Sequence, residues 1–199
     1  MNSVFTSTIN SFKRVNLSAN VLVVFLFSLF LTVFLFGVKT PAACDADTAP
    51  NCQQWTTGAT QKESLKRNYS LYVPSQLKQP STPAPLVVML HGCMQSADDF
   101  AKSTRVNFKA EKLGFVVLYP EQSSKDNPLR CWNWFKPENR ARQTGEAALI
   151  IELIEKIKSQ IPIDTKKIFV AGISAGGAMA HNLGSCYPDI FSAVAVHSG

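Results

Sequence analysis

Phe169-Val170-Ala171-Gly172-Ile173-Ser174-Ala175-Gly176-Gly177-Ala178 is the stretch whose reading decides the fold. A short run with aromatic and β-branched residues climbs into Gly172-x-Ser174-x-Gly176, then passes into small residues suited to opening a helix. That order matches a nucleophile elbow, a strand-to-helix turn so sharp that its serine is thrust out beyond the strand. Gly172 and Gly176 stand either side of Ser174, where strand and helix nearly touch and a Cβ would clash. Ser174 itself is expected in a strained backbone conformation that the surrounding packing must sustain. Ser-Gly pairs also mark plain turns, so the flanking sequence has to decide. On both sides it favours the elbow, and Ser174 is the candidate nucleophile.

Working outward, the chain alternates strands and helices. Asn68 to Val73 alternates apolar and polar residues as a strand with one buried face does, and Pro74 ends it. The proline-rich Ser75 to Pro85 reads as a loop. Leu86-Val87-Val88-Met89-Leu90 is a continuous apolar run, as in a parallel strand covered on both faces. Ser96-Ala97-Asp98-Asp99 has capping-box spacing and opens a helical stretch, with room for one break, that ends at Gly114. Phe115 to Tyr119 is the next buried strand, stopped by Pro120. A long polar connection follows, from 121 to about 142, and holds Cys131-Trp132-Asn133-Trp134-Phe135. From Thr144 to Gln160 the chain is an amphipathic helix, with Ile150, Ile154, Ile157 and Ile161 on one face. Ile168 to Val170 delivers Ser174, a helix follows to about Tyr187, and Phe191 to His197 reads as one more buried strand. This order predicts an α/β fold, a mostly parallel sheet with helices on both faces. Sites in such sheets gather at the carboxyl ends of strands, so His91 to Gln95, the tryptophan loop and Ser174 are expected on one rim.

With 199 residues, 46% hydrophobic and 17% charged, the chain is long enough to bury a core and short enough for one domain. The formal net charge of +6 overstates the basicity of the folded part. Lys13, Arg14 and Lys39 lie in or beside an N-terminal targeting stretch, and without them 17 basic residues face 14 acidic ones. The basic residues are scattered, so nucleic acid is not an expected partner. Val21 to Val38 is almost wholly apolar behind Lys13 and Arg14, with small residues at Thr40, Ala42 and Ala43. Residues 1–43 therefore read as an export signal. The apolar run is longer than an ordinary signal core and near the ~20 residues that span a bilayer, so an uncleaved anchor at 21–38 is the competing reading. Both place the folded part outside the cytoplasm. Cys44 after Ala-Ala also invites a lipid attachment reading, which Pro41 disfavours. Residues 44–62 are expected to be an irregular lead-in, and 63–199 the folded domain.

Five cysteines in an exported chain point to disulfides. Cys44 and Cys52 are close enough to close a small loop, and Cys186 is left over.

Ester hydrolysis by a serine needs an activated hydroxyl, a base, an acid that orients it, and donors for the developing oxyanion. The backbone N–H of Ala175, next after Ser174, is the natural first donor. The loop after the 86–90 strand supplies the second, with Cys93 N–H the candidate and Met94 the nearest alternative. His91 is read as shaping that loop through its ring nitrogens rather than as the base. His181 is read as an ordinary helix residue, His197 as a strand-end anchor, and Asp189 beside Pro188 as turn chemistry. Glu146 needs only the helix dipole to explain it. Trp132 and Trp134 are expected to divide between the core and the site, one of them lining the cleft and contacting the acyl group. No acid or base partner for Ser174 stands out.

Several stretches together resemble the poly(3-hydroxybutyrate) depolymerase family of esterases. They are Leu-Tyr-Val-Pro (71–74), Leu-Val-Val-Met-Leu-His-Gly-Cys-Met-Gln (86–95), Ala-Asp-Asp-Phe-Ala (97–101) and Leu-Tyr-Pro-Glu-Gln (118–122). Arg-Cys-Trp-Asn-Trp-Phe (130–135), the Ser174 box (171–180) and Tyr-Pro-Asp-Ile-Phe (187–191) complete the set. The resemblance implies an α/β-hydrolase fold and a carboxylic ester substrate, polymeric or of the feruloyl or acetyl type, without metal or cofactor. It also implies a Cys93–Cys131 disulfide tying the oxyanion loop to the tryptophan loop. The family's catalytic Asp and His lie beyond the strand that ends at Gly199, so the sequence reads as truncated at its C-terminus, with an unpaired sheet edge. An inactive remnant of the fold, or a binding module without acid and base, is the alternative expectation.

Overall fold

The computed structural model describes residues 54–62, 65–77 and 82–199. The export segment, the 21–38 anchor reading and the Cys44–Cys52 loop lie outside the described residues. Six strands form one sheet: β1 (Trp55–Lys62), β2 (Leu65–Tyr72), β3 (Ala84–Leu90), β4 (Val116–Glu121), β5 (Ile163–Ile173) and β6 (Ala193–His197). Their spatial order is β1-β2-β4-β3-β5-β6. The two N-terminal strands pair antiparallel, and β4, β3, β5 and β6 run parallel. Four helices connect them: α1 (Ala97–Thr104), α2 (Val106–Leu113), α3 (Gly145–Gln160) and α4 (Ala175–Cys186).

The central strands are apolar throughout because both their faces are covered. Leu86, Val88 and Leu90 of β3, with Val116 and Leu118 of β4, meet Ile150, Leu153, Ile154 and Ile157 of α3 and Met179 and Leu183 of α4. Their alternates Met89, Val117 and Tyr119 face the other way, onto Phe100, Ala101 and Ala110 of α1 and α2. Strand periodicity thus feeds two layers from one run. The capping box forms, with Ser96 accepting from Asp99 N–H and the Asp99 carboxylate accepting from Ser96 N–H. The break in this helical stretch falls at Arg105, whose left-handed φ of 53° ends α1 and starts α2.

Three expectations need correction. Residues 55–62 are not irregular: Trp55 to Lys62 pairs antiparallel with β2 along its whole length. As an edge strand it buries only Trp55 fully, so no alternating pattern announces it. Pro120 does not stop β4, because it lies within the pairing, opposite Tyr69. The last strand is not buried either, since all five residues of β6 are exposed. It pairs with β5 alone among the described residues, so its outer edge and much of one face meet solvent. No helix among the described residues is long and apolar enough to cross a membrane.

Backbone packs directly on backbone at the start of α4. A Cβ on Gly172 would overlap the backbone carbonyl of Gly176, and a Cβ on Gly176 would overlap the carbonyl oxygens of Leu90 and His91. Backbone cannot step aside as a side chain can. Gly172→Ala is therefore expected to cost about 1–3 kcal/mol, the usual range for overpacking, read as a lower chemical-denaturation midpoint at unchanged m value.

Candidate active site

Ser174 stands between the end of β5 and the first turn of α4 with φ 53° and ψ −125°. Such a conformation is strained for a residue with a side chain and persists only where its surroundings over-determine it. Here the Ser174 N–H donates to His197 O at 2.9 Å, and Ser174 O accepts from Ala178 N–H at 3.0 Å. The serine lines a cavity of about 470 Å³ together with Cys93, Ala175, Leu129, Trp134 and Phe135. The three sequence stretches singled out for one rim therefore meet around one space.

Met94 N–H donates to Leu129 O at 2.7 Å, so this alternative oxyanion donor is already committed. The N–H groups of Cys93 and Ala175 make no hydrogen bond among the described residues. Ala175 is the first residue of α4, where backbone donors have no partner within the helix and the dipole favours negative charge. A disulfide joins Cys93 to Cys131, with their Cα atoms 4.2 Å apart. Cys186 is free.

His91 is fully buried, and both its ring nitrogens are used. Nδ1 lies 2.7 Å from Gly92 O, and Nε2 accepts from Gln122 N–H at 3.0 Å. This pattern assigns the neutral tautomer with the proton on Nδ1. Burial lowers the His91 pKa, outweighing its contact with Gly92 O. The ring anchors the loop after β3 and has no nitrogen left for a base. His197 contributes its carbonyl to Ser174, while its ring lies 3.1 Å from Ser198 Oγ. His181 is exposed on α4. Asp189 is exposed and paired with Arg142, which holds its carboxyl below the usual range. Ser174 Oγ makes no hydrogen bond to any of them.

Trp132 is wholly buried and donates through Nε1 to His91 O at 3.1 Å. Trp134 remains 38% exposed and stacks edge-on against Phe135 at the cavity mouth. The two rings part company, Trp132 buried and Trp134 on the cleft, although a spacing of two on an extended segment would put both on one face.

Glu146 departs most from its sequence reading. Rather than sitting at a helix start for the dipole alone, it is buried beneath the tryptophan loop. Its carboxylate accepts from Asn133 N–H at 2.9 Å, Asn133 Nδ2 at 2.7 Å and Gln122 Nε2 at 2.5 Å. Arg67 of β2, fully buried, places Nη2 3.5 Å from both Glu146 and Asp126. Its guanidinium also lies over the Trp132 ring at 5.2 Å. Burial pulls the Arg67 pKa down, against the opposing pull of the two carboxylates. Arg67 sits in an alternating strand and Glu146 in an amphipathic helix; the only hint was a charge on a face otherwise apolar.

The family described as "Esterase PHB depolymerase" matches residues 67–199. Poly(3-hydroxyalkanoate) depolymerase C of Paucimonas lemoignei is 37% identical over 116 residues, which are 58% of this chain and 28% of that protein. Feruloyl esterase B of Thermothelomyces thermophilus is 33% identical over 130 residues, 65% of this chain and 43% of that protein. The chain thus spans less than half the length of these curated relatives. Among solved structures, acetyl xylan esterase from Aspergillus awamori superposes with a TM-score of 0.63 at 22% identity, covering 72% of this chain and 53% of that one. The shared architecture is the α/β-hydrolase fold.

The buried His91 makes a pH prediction. Its folded-state pKa lies below the ordinary imidazole value of about 6.5, so the unfolded chain takes up the proton first. Its contribution to stability is present above that value and is lost progressively as the pH falls below it. Denaturation midpoints are expected to fall between pH 7.5 and 5.5, and His91→Asn is expected to flatten that slope.

Proposed function

The chain belongs to the PHB depolymerase family of esterases, and from that premise we propose that the intact protein is an exported serine esterase. Ser174 Oγ attacks the ester carbonyl, the tetrahedral intermediate collapses with cleavage of the ester C–O bond and release of the alcohol, and water hydrolyses the acyl-enzyme to the carboxylic acid and free serine. The N–H groups of Cys93 and Ala175 stabilise the oxyanion of the tetrahedral intermediates. A missing donor of this kind typically costs roughly 3–4 kcal/mol of barrier. The observation that carries the reading is the positive-φ serine opening onto the same cavity as two uncommitted backbone donors.

The apolar cavity wall, with Trp134, Phe135 and Leu129, suits an acyl group of low polarity. Hydroxyalkanoate, feruloyl and acetyl esters are the substrate classes named by the relatives, and one of them is the proposed substrate class. Trp134 contacts the bound ester, while Trp132 supports the loop from beneath. No role as acid or base is assigned to His181, His197 or Asp189. The last is neutralised by Arg142, and the His197 ring turns to Ser198. The domain division proposed is an export segment at 1–43 and a catalytic domain that takes in β1, from about residue 55.

Two measurements test this. In the intact protein, Ser174→Ala is expected to lower kcat for p-nitrophenyl butyrate by about a million-fold, as removal of a serine nucleophile does elsewhere. A variant with wild-type turnover would reject Ser174 as the nucleophile. Edman sequencing of secreted protein is expected to begin at or near Cys44; material retaining residues 21–38 would instead favour the anchored form.

A further inference from the structure

We propose that Gln122 is a positioning residue for the oxyanion site, a role that rests on the esterase reading above. Gln122 follows the last residue of β4 and is 1% exposed. Its backbone N–H donates to His91 Nε2 at 3.0 Å, which fixes the histidine at the start of the oxyanion loop. Its side-chain Nε2 donates to Cys131 O at 3.0 Å and to Glu146 at 2.5 Å. Its Oε1 accepts from Arg67 Nη1 and, at 3.0 Å, from Ser123 N–H. Every donor of the amide has an acceptor and both acceptor sites are taken, so the orientation of the group is determined by its partners.

The position of this residue matters as much as its bond count. Cys93 and Cys131 are joined to each other, Trp132 Nε1 holds His91 O, and Met94 N–H holds Leu129 O. Those three links tie the oxyanion loop to the tryptophan loop, yet all of them run between two irregular segments. Among the described residues, Gln122 binds both loops from the end of a sheet strand. It holds one loop at His91 and the other at Cys131, so the disulfide and the Cys93 amide cannot drift as a unit over Ser174. Misplacement of a catalytic group by about 1 Å costs on the order of 10²-fold in rate.

Gln122→Glu keeps the shape and both acceptor contacts but removes both donors, and it sets a second carboxylate against Glu146. In the intact protein its kcat for p-nitrophenyl butyrate, per serine labelled by a fluorophosphonate, is expected to fall about 10²-fold. KM is expected to stay within about two-fold, because the ground-state ester does not need the oxyanion donors. A boronic acid, whose tetrahedral adduct carries the oxyanion, is expected to lose affinity in parallel with kcat. Wild-type kcat per labelled serine, or a fall in kcat with unchanged boronate affinity, overturns the proposal. Gln122→Met, close in volume and uncharged, carries the same test if the Glu variant does not fold. An active Ser174→Ala protein would instead reject the nucleophile, so the two failures are told apart.

Discussion

A backbone-to-backbone contact sets the tolerance of this site. Gly176 packs against the carbonyl oxygens of Leu90 and His91, and Gly172 packs against Gly176 itself. Because no side chain intervenes, the end of β3 and the start of α4 approach as closely as two backbones can. The loop after β3 therefore begins where Ser174 emerges, and its Cys93 amide shares a cavity with the serine. The positive φ of Ser174 is the local cost of so sharp a turn. It is held in place by hydrogen bonds on both sides, from Ser174 N–H to His197 and from Ala178 N–H to Ser174. Ser174 and the N–H groups of Cys93 and Ala175 are thus parts of one packing arrangement.

The second wall of the cleft is built on a different principle. The connection between β4 and α3 is long and has little regular structure beyond a short 3-10 turn at Pro137–Arg140, so strand pairing cannot order it. Buried charge does so instead. Glu146 takes three directional hydrogen bonds from Asn133 and Gln122, and Arg67 balances its charge from β2. Burying ions carries a desolvation penalty of several kcal/mol each, so such a pair adds little net stability. What it supplies is direction: an apolar loop base could slide, while a carboxylate with three fixed donors cannot. Trp132 completes this floor, packed under Arg67 and donating to His91, and leaves Trp134 to face the cavity.

The elbow, the parallel core strands and helix α3 were legible in the sequence because each depends on local order. Gly-x-Ser-x-Gly needs only its own neighbours to be recognised. The continuous apolar runs of β3 and β4 follow directly from having both faces covered, and the spacing of Ile150, Ile154 and Ile157 follows from the helical repeat. The Cys93–Cys131 bond was reached through family resemblance rather than spacing, since loop positions 38 residues apart carry no geometric signal in one dimension. β1 was missed because an edge strand with one buried residue has no pattern, and its pairing partner, not its composition, makes it a strand. β6 has the composition of a buried strand, yet all five of its residues are exposed. Glu146 illustrates the same limit at the site. An acid in a helix's first turn has a sufficient local explanation, and only the fold brings Arg67, Gln122 and Asn133 to its carboxylate. The sequence by itself determined where the sharp strand-to-helix turn at Ser174 stands and which strands enclose it, because those depend on neighbours along the chain. The tertiary structure decided which charges are buried and what holds the loop after β3, because those depend on partners distant in sequence.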